Sequence, residues 1–158
     1  TTYVDIVIGH LGGRCFRETA EDEVLNRFHD VVIPNWSDKN PELKNNKITF
    51  YNIYRLDGYY FQYQQNKICY NYTKEIDLFC EGIALFCDDR LGGNSKIIQN
   101  FNSDNVNISE PYSLNTTTDL KMKFYKNGRI DVCFEDKATA QRCFYRMKLN
   151  DVNPKNKA

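Results

Sequence analysis

Six cysteines in a chain of 158 residues set the tightest bound on what it can fold into. They are Cys15, Cys69, Cys80, Cys87, Cys133 and Cys143. An even number in a domain of this size favours a disulfide framework made in an oxidising compartment. Cys80 and Cys87 lie seven residues apart. In one straight strand that odd separation puts them on opposite faces, so each is expected to seek another partner. Cys133 and Cys143 flank the Lys137–Ala140 turn, where a cross-strand bridge would fit. The spacings leave the connectivity open. No C-x-x-C pair exists and no histidine has ligand spacing to a cysteine pair, so no metal and no cofactor are expected.

The sequons point the same way. Asn35, Asn71, Asn107 and Asn115 each begin N-x-S/T, the acceptor pattern of a glycosylated, secreted or lumenal protein. Lysine plus arginine equals aspartate plus glutamate at 21 each, which gives no general drive toward nucleic acid or an anionic membrane. No apolar run is long enough to span a bilayer. With 41% apolar residues the chain can bury a real core. It starts Thr1-Thr2-Tyr3, as a processed product or an excised domain would.

Along the chain, Tyr3 to Ile8 reads as a first buried strand. Thr19 reads as the N-cap of one amphipathic helix, with Glu21, Asp22 and Glu23 in its first turn and Val24, Leu25 and Phe28 on its apolar face. Pro34 to Asn46 reads as a surface loop. Lys47 to Leu56 and Tyr59 to Tyr63 flank Asp57-Gly58, and Leu120 to Lys126 and Arg129 to Glu135 flank Asn127-Gly128. Both are hairpin signals. Ile68 to Tyr72, Ile76 to Phe86 and Gln141 to Leu149 are further strand candidates. Strand following strand predicts a mainly β domain, an antiparallel β-sandwich with one short helix, stapled by disulfides. It fills 1–149, and 150–158 reads as a flexible tail.

Chemistry is sparse. The Gly9–Gly13 loop after the first strand lacks the spacing of a dinucleotide-binding turn. His10 and His29 are the sole histidines, and structural roles suit both. Asp88-Asp89 reads as a solvated turn rather than a cation site. No catalytic constellation stands out. Aromatics are more informative: Tyr51, Tyr54, Tyr59, Tyr60, Phe61, Tyr63, Tyr70 and Tyr72 crowd one stretch, as they do on partner-binding sheets, and Tyr51, Tyr54, Tyr59, Tyr60 and Tyr63 are the candidate contacts. The acids Glu21, Asp22 and Glu23 form a local cluster that a basic partner could use.

Three segments resemble a poxvirus family of secreted immune-evasion proteins. That family includes CC-chemokine inhibitors, the chemokine-binding domain of viral tumour-necrosis-factor receptors and a cowpox protein that binds MHC class I. The segments are Tyr3-Val4-Asp5-Ile6-Val7-Ile8 followed by Cys15, the run Cys80-Glu81-Gly82-Ile83-Ala84-Leu85-Phe86-Cys87, and Tyr51 to Cys69. The resemblance implies a two-sheet β-sandwich presenting a face to a host immune protein: a cytokine, a chemokine or an MHC class I-like molecule. The zero net charge departs from the acidic character of the chemokine binders, so steering of a basic chemokine is missing. The expectation is a secreted binding protein, not an enzyme, with neither nucleic acid nor membrane as partner. The alternatives are a lipocalin-like carrier of a small ligand, or a small secreted hydrolase or nuclease.

Overall fold

The computed structural model describes residues 16–34, 39–90 and 95–149. The expected first strand, the Gly9–Gly13 loop, His10, Cys15, Asn35 and the 150–158 tail lie outside the described residues. Helix α1 (Phe16–Val32) is followed by strands β1 (Glu42–Lys44) and β2 (Lys47–Phe50). Helix α2 (Thr73–Asp88) precedes β3 (Tyr112–Ser113), β4 (Leu120–Phe124), β5 (Ile130–Phe134) and helix α3 (Lys137–Arg146). The strands form a single open antiparallel sheet in the order β1-β2-β5-β4-β3.

This corrects the expected disulfide-stapled β-sandwich. Among the described residues there is one sheet where two were expected, and it is not closed into the barrel that a lipocalin-like carrier requires. Two of the expected strands are helices. Over 73–88 the buried positions are Ile76, Phe79, Cys80 and the whole run from Gly82 to Cys87, with Ile76, Phe79, Cys80, Ile83 and Cys87 forming one stripe. Their steps of three and four fit the period of a helix, although Ile, Phe and Cys favour strands by composition. The Gln141–Leu149 segment lies largely in α3, with Ala140, Cys143 and Met147 buried at helical spacing. Its start is set by Asp136, whose carboxylate accepts the Thr139 N–H at 2.7 Å. The expected early helix is present, but it begins before Thr19, which lies inside α1.

Alternation sorts the sheet into two faces. Leu120, Met122 and Phe124 of β4 are buried, whereas Lys121 is exposed. Ile130, Val132 and Phe134 of β5 and Ile48 and Phe50 of β2 complete the inner face. The helices pack on that side. Phe28 of α1 lies 5.8 Å from Phe79 of α2 and 6.0 Å from Phe50 of β2, and Phe50 meets Phe79 edge-on at 4.9 Å. This node joins both helices to the sheet with the offset and edge-to-face contacts that aromatic rings prefer. It forms because Gly82 has no side chain: a Cβ there would stand 2.1 Å from the Phe28 ring.

The disulfide framework is also corrected. Cys69, Cys80, Cys87, Cys133 and Cys143 are all free thiols. Cys80 is sealed inside the core, Cys133 stands on the outer face of the sheet, and Cys69 lies before α2. Cys80 and Cys87 share one helix rather than opposite faces of a strand. What holds the chain is one cluster of buried side chains contributed by all three helices and the sheet.

Gly82→Ala is expected to lower stability by about 1–3 kcal/mol through overpacking against Phe28. Urea denaturation measures it. Phe28→Leu in the Gly82→Ala background should cost less than the two single changes added together, because the smaller side chain makes room.

Candidate functional site

The tyrosine-rich segment is not a hairpin. Residues Gly58–Tyr63 wind into a 3₁₀ turn, and Asp57 caps it by accepting the Tyr59 N–H at 3.0 Å. Asp-Gly therefore starts a helical turn here, where the sequence suggested a strand reversal. The turn closes at Gln64 (φ 56°), whose N–H reaches the Phe61 carbonyl at 3.0 Å. Below it the chain pairs with itself as a neck: Leu56 bridges Ile68, and Cys69 N–H reaches the Arg55 carbonyl at 2.8 Å. The 102–106 loop braces the neck, with Ile68 N–H on Ser103 O at 2.9 Å and Val106 N–H on Asn66 O at 2.8 Å.

The result is an aromatic knuckle. Tyr59, Phe61 and Tyr63 are 62%, 48% and 61% exposed, so the turn displays its rings instead of burying them. Tyr59 and Tyr63 lie 6.0 Å apart, and the hydrogen bond between their side chains raises the Tyr63 pKa. Lys67 stands 4.6 Å from the Tyr60 ring centre and Lys126 lies 5.8 Å from that of Phe61. Aromatic groups on a braced turn offer large contact area with little entropy left to lose on binding.

A groove runs from the knuckle toward the start of α2. Its near hollow, about 200 Å³, is lined by Phe61, Gln64 and Lys126. Lys126 also lines the middle hollow, about 210 Å³, with Tyr54, Arg55, Tyr72 and Asn127. Tyr72 and Asn52 pass from there into a far hollow of about 230 Å³ that contains Asp30 and Glu75. One wall is the β4–β5 turn, and it is fixed to the rest of the protein by Asp131.

Asp131 is 1% exposed and anchors that turn. Arg129 donates to it from Nε at 3.0 Å and from Nη2 at 2.9 Å. Thr49 Oγ1 donates at 2.8 Å and the Tyr125 hydroxyl at 2.9 Å, with Lys47 Nζ at 3.6 Å. Burial alone would raise its pKa, but the hydrogen bonds from Arg129, Thr49 and Tyr125 outweigh it and hold the carboxyl below its ordinary value. The turn it holds carries Lys126 and Asn127. Gly128 (φ +88°) lets that turn press against the Tyr54 carbonyl, where a Cβ would stand at 2.3 Å, and its own carbonyl accepts the Ile53 N–H at 2.9 Å.

The expected binding residues thus separate. Tyr59, Tyr60 and Tyr63 are together on the knuckle. Tyr54 is buried, its hydroxyl donating to the Tyr125 carbonyl, and burial raises its pKa. Tyr51 is half-buried beyond β2, with Lys39 4.8 Å from its ring centre. Glu21, Asp22 and Glu23 are on α1, not in the groove. Phe61 and Tyr72 belong to the aromatic run that the sequence marks, whereas Arg55, Glu75 and Lys126 have no sequence signal.

Other expected groups have structural partners. His29 Nε2–H donates to the Met147 carbonyl at 2.7 Å. Asp88 accepts the Thr118 N–H at 2.8 Å, and Asp89 pairs with Arg146 at 2.9 Å. Cys87 and Cys143 are hydrogen-bonded neighbours in the core. Burial and that contact raise the Cys87 pKa, while the contact lowers that of Cys143. Asn71, Asn107 and Asn115 are exposed. Among the described residues, no group of three or more His, Cys, Asp or Glu could hold a metal ion. No family model, curated protein or solved structure matches the chain.

Asp131→Asn is expected to lower stability at neutral pH by about 1–3 kcal/mol, because Arg129 loses its ionic acceptor. The native pKa is depressed, so the carboxylate's contribution is complete above the unfolded value of about 3.9 and fades as pH falls through the lowered native value. Denaturant curves of parent and variant should therefore converge only in acid. Iodoacetamide on the native protein should label half-buried Cys69 and Cys133 before Cys80, Cys87 and Cys143, which react once the chain is unfolded. Peptide mass mapping reads the order.

Proposed function

We propose that this protein is a binding module, not an enzyme, and that it grips a segment of another protein with the knuckle as anchor and the adjoining groove as seat. The observation that carries this reading is the display of Tyr59, Phe61 and Tyr63 on a turn braced at both ends. Large exposed aromatics on a rigid support are what interface hot spots are made of. A small chain gains nothing in stability by holding three such rings in water.

The partner class follows from the family resemblance. Host immune proteins, whether cytokines, chemokines or MHC class I-like molecules, are the first group to test. The β-sandwich that the resemblance implied has been corrected, and its central Cys80–Cys87 strand is part of α2. The knuckle supports binding and the sequons a secreted chain, while the choice of immune partners rests on the resemblance alone. Asn107 and Asn115 are proposed as glycosylation sites of a secreted or lumenal chain, and their exposure leaves room for a glycan; Asn71 lines the far hollow, where a glycan would fill the seat, and is not among them.

The test is a binding panel of purified cytokines, chemokines and MHC class I molecules against the parent and Tyr59→Ser/Phe61→Ser/Tyr63→Ser. Loss of affinity by about a hundredfold or more is expected for the triple variant, with thermal unfolding nearly unmoved. A variant that binds as the parent does would sink the knuckle as the anchor.

A further inference from the structure

The groove beside the knuckle changes sign along its length. Its far hollow presents two carboxylates, Asp30 and Glu75, and among the described residues no cation lines it. Its middle hollow presents Arg55 and Lys126, and among the described residues no acid lines it. Asn52 and Tyr72 border both, so the two charges belong to one continuous surface.

The Glu75 carboxylate is the unusual group. Its Oε2 is shielded from solvent and has no hydrogen-bond partner. Buried polar atoms are nearly always paired, so an acceptor oxygen with no protein donor marks an unmet electrostatic demand beside the hollow. Glu75 stands in the first turn of α2, where the helix dipole steadies the negative charge but supplies no donor to that oxygen. A cation in the far hollow would lie beside the two acids that line it, Glu75 and Asp30. Asp30, on α1 across the hollow, adds a second acid facing the same space.

The middle hollow has the opposite need. Lys126 is turned toward the Phe61 ring, and neither it nor Arg55 joins the ion pairs found among the described residues. A carboxylate would be held there by two cations, and the amide of Asn127 lies beside them. The apolar wall between the ends is Tyr72.

We propose that the groove is a directional peptide site, taking an extended segment with a basic side chain under Glu75 and Asp30 and an acidic group against Arg55 and Lys126. This rests on the binding-module reading and states the chemistry of the bound segment. Charge order gives the segment its direction: reversed, it meets like charge at both ends, and such juxtaposition discriminates strongly between partners.

The probe is a displayed library of random twelve-residue peptides, panned on the full chain and on Tyr59→Ser/Phe61→Ser/Tyr63→Ser. Peptides that require the knuckle are then synthesised and their affinities measured. The expected result is a Lys or Arg and an Asp or Glu in a constant order and separation. Glu75→Gln, which keeps shape and removes charge, should weaken binding about tenfold. Lys126→Glu should weaken it similarly, and exchanging the peptide's acid for lysine should restore it. Thermal unfolding of each variant controls for folding. Knuckle-dependent peptides without that charge pair, or with affinity indifferent to Glu75→Gln, overturn the directional site and leave the binding module standing. A library that yields no knuckle-dependent peptide overturns both.

Discussion

The contact between Phe28 and Gly82 is the one on which the rest of the structure depends. With a bare backbone at 82, the Phe28 ring reaches into α2 and stacks 5.8 Å from Phe79 while meeting Phe50 of the sheet at 6.0 Å. One ring therefore touches both of the other layers. The Arg27–Glu81 ion pair at 2.9 Å closes the solvent side of the same crossing, where its contribution is small. Because packing at this density transmits displacement, any side chain at 82 would push α1 away from both α2 and β2.

A second, polar constraint governs the surface. Asp131 sits on the opposite face of the sheet from the aromatic node, buried and satisfied by Arg129, Thr49 and Tyr125. It holds the turn between β4 and β5, and Gly128 lets that turn press onto the Tyr54 backbone. The groove owes one wall to this arrangement and the other to the neck beneath the knuckle. The two parts of the proposed binding surface thus stand on rigid elements, and a seat on fixed walls would lose little entropy when filled.

The free thiols fit the same account. A chain with this much buried aliphatic and aromatic surface has a core of ordinary quality, so cross-links are not what its fold depends on. Cys80, Cys87 and Cys143 behave as small apolar residues within that core. Their number suggested a framework, but their positions on helix faces make them packing groups.

Where alternation or turn chemistry is local, the sequence alone determined the structure. The Asn127-Gly128 hairpin and its two strands stand as expected, because glycine's positive φ and the alternation of Leu120, Met122 and Phe124 are properties of neighbouring residues. The early helix was legible from Val24, Leu25 and Phe28. The crowding of tyrosines marked the segment that became the knuckle. Tertiary structure decided the rest. The Ile76–Phe86 run is rich in strand formers, yet its three-and-four spacing presents one face to Phe28 and another to the sheet, and burial on several sides chose the helix. Asp57-Gly58 could start a strand reversal or a 3₁₀ turn, and pairing of Leu56 with Ile68 selected the turn. The groove joins Asp30, Arg55, Glu75 and Lys126, residues remote in sequence, and only the packing of α1, α2 and the β4–β5 turn brings their charges to one surface.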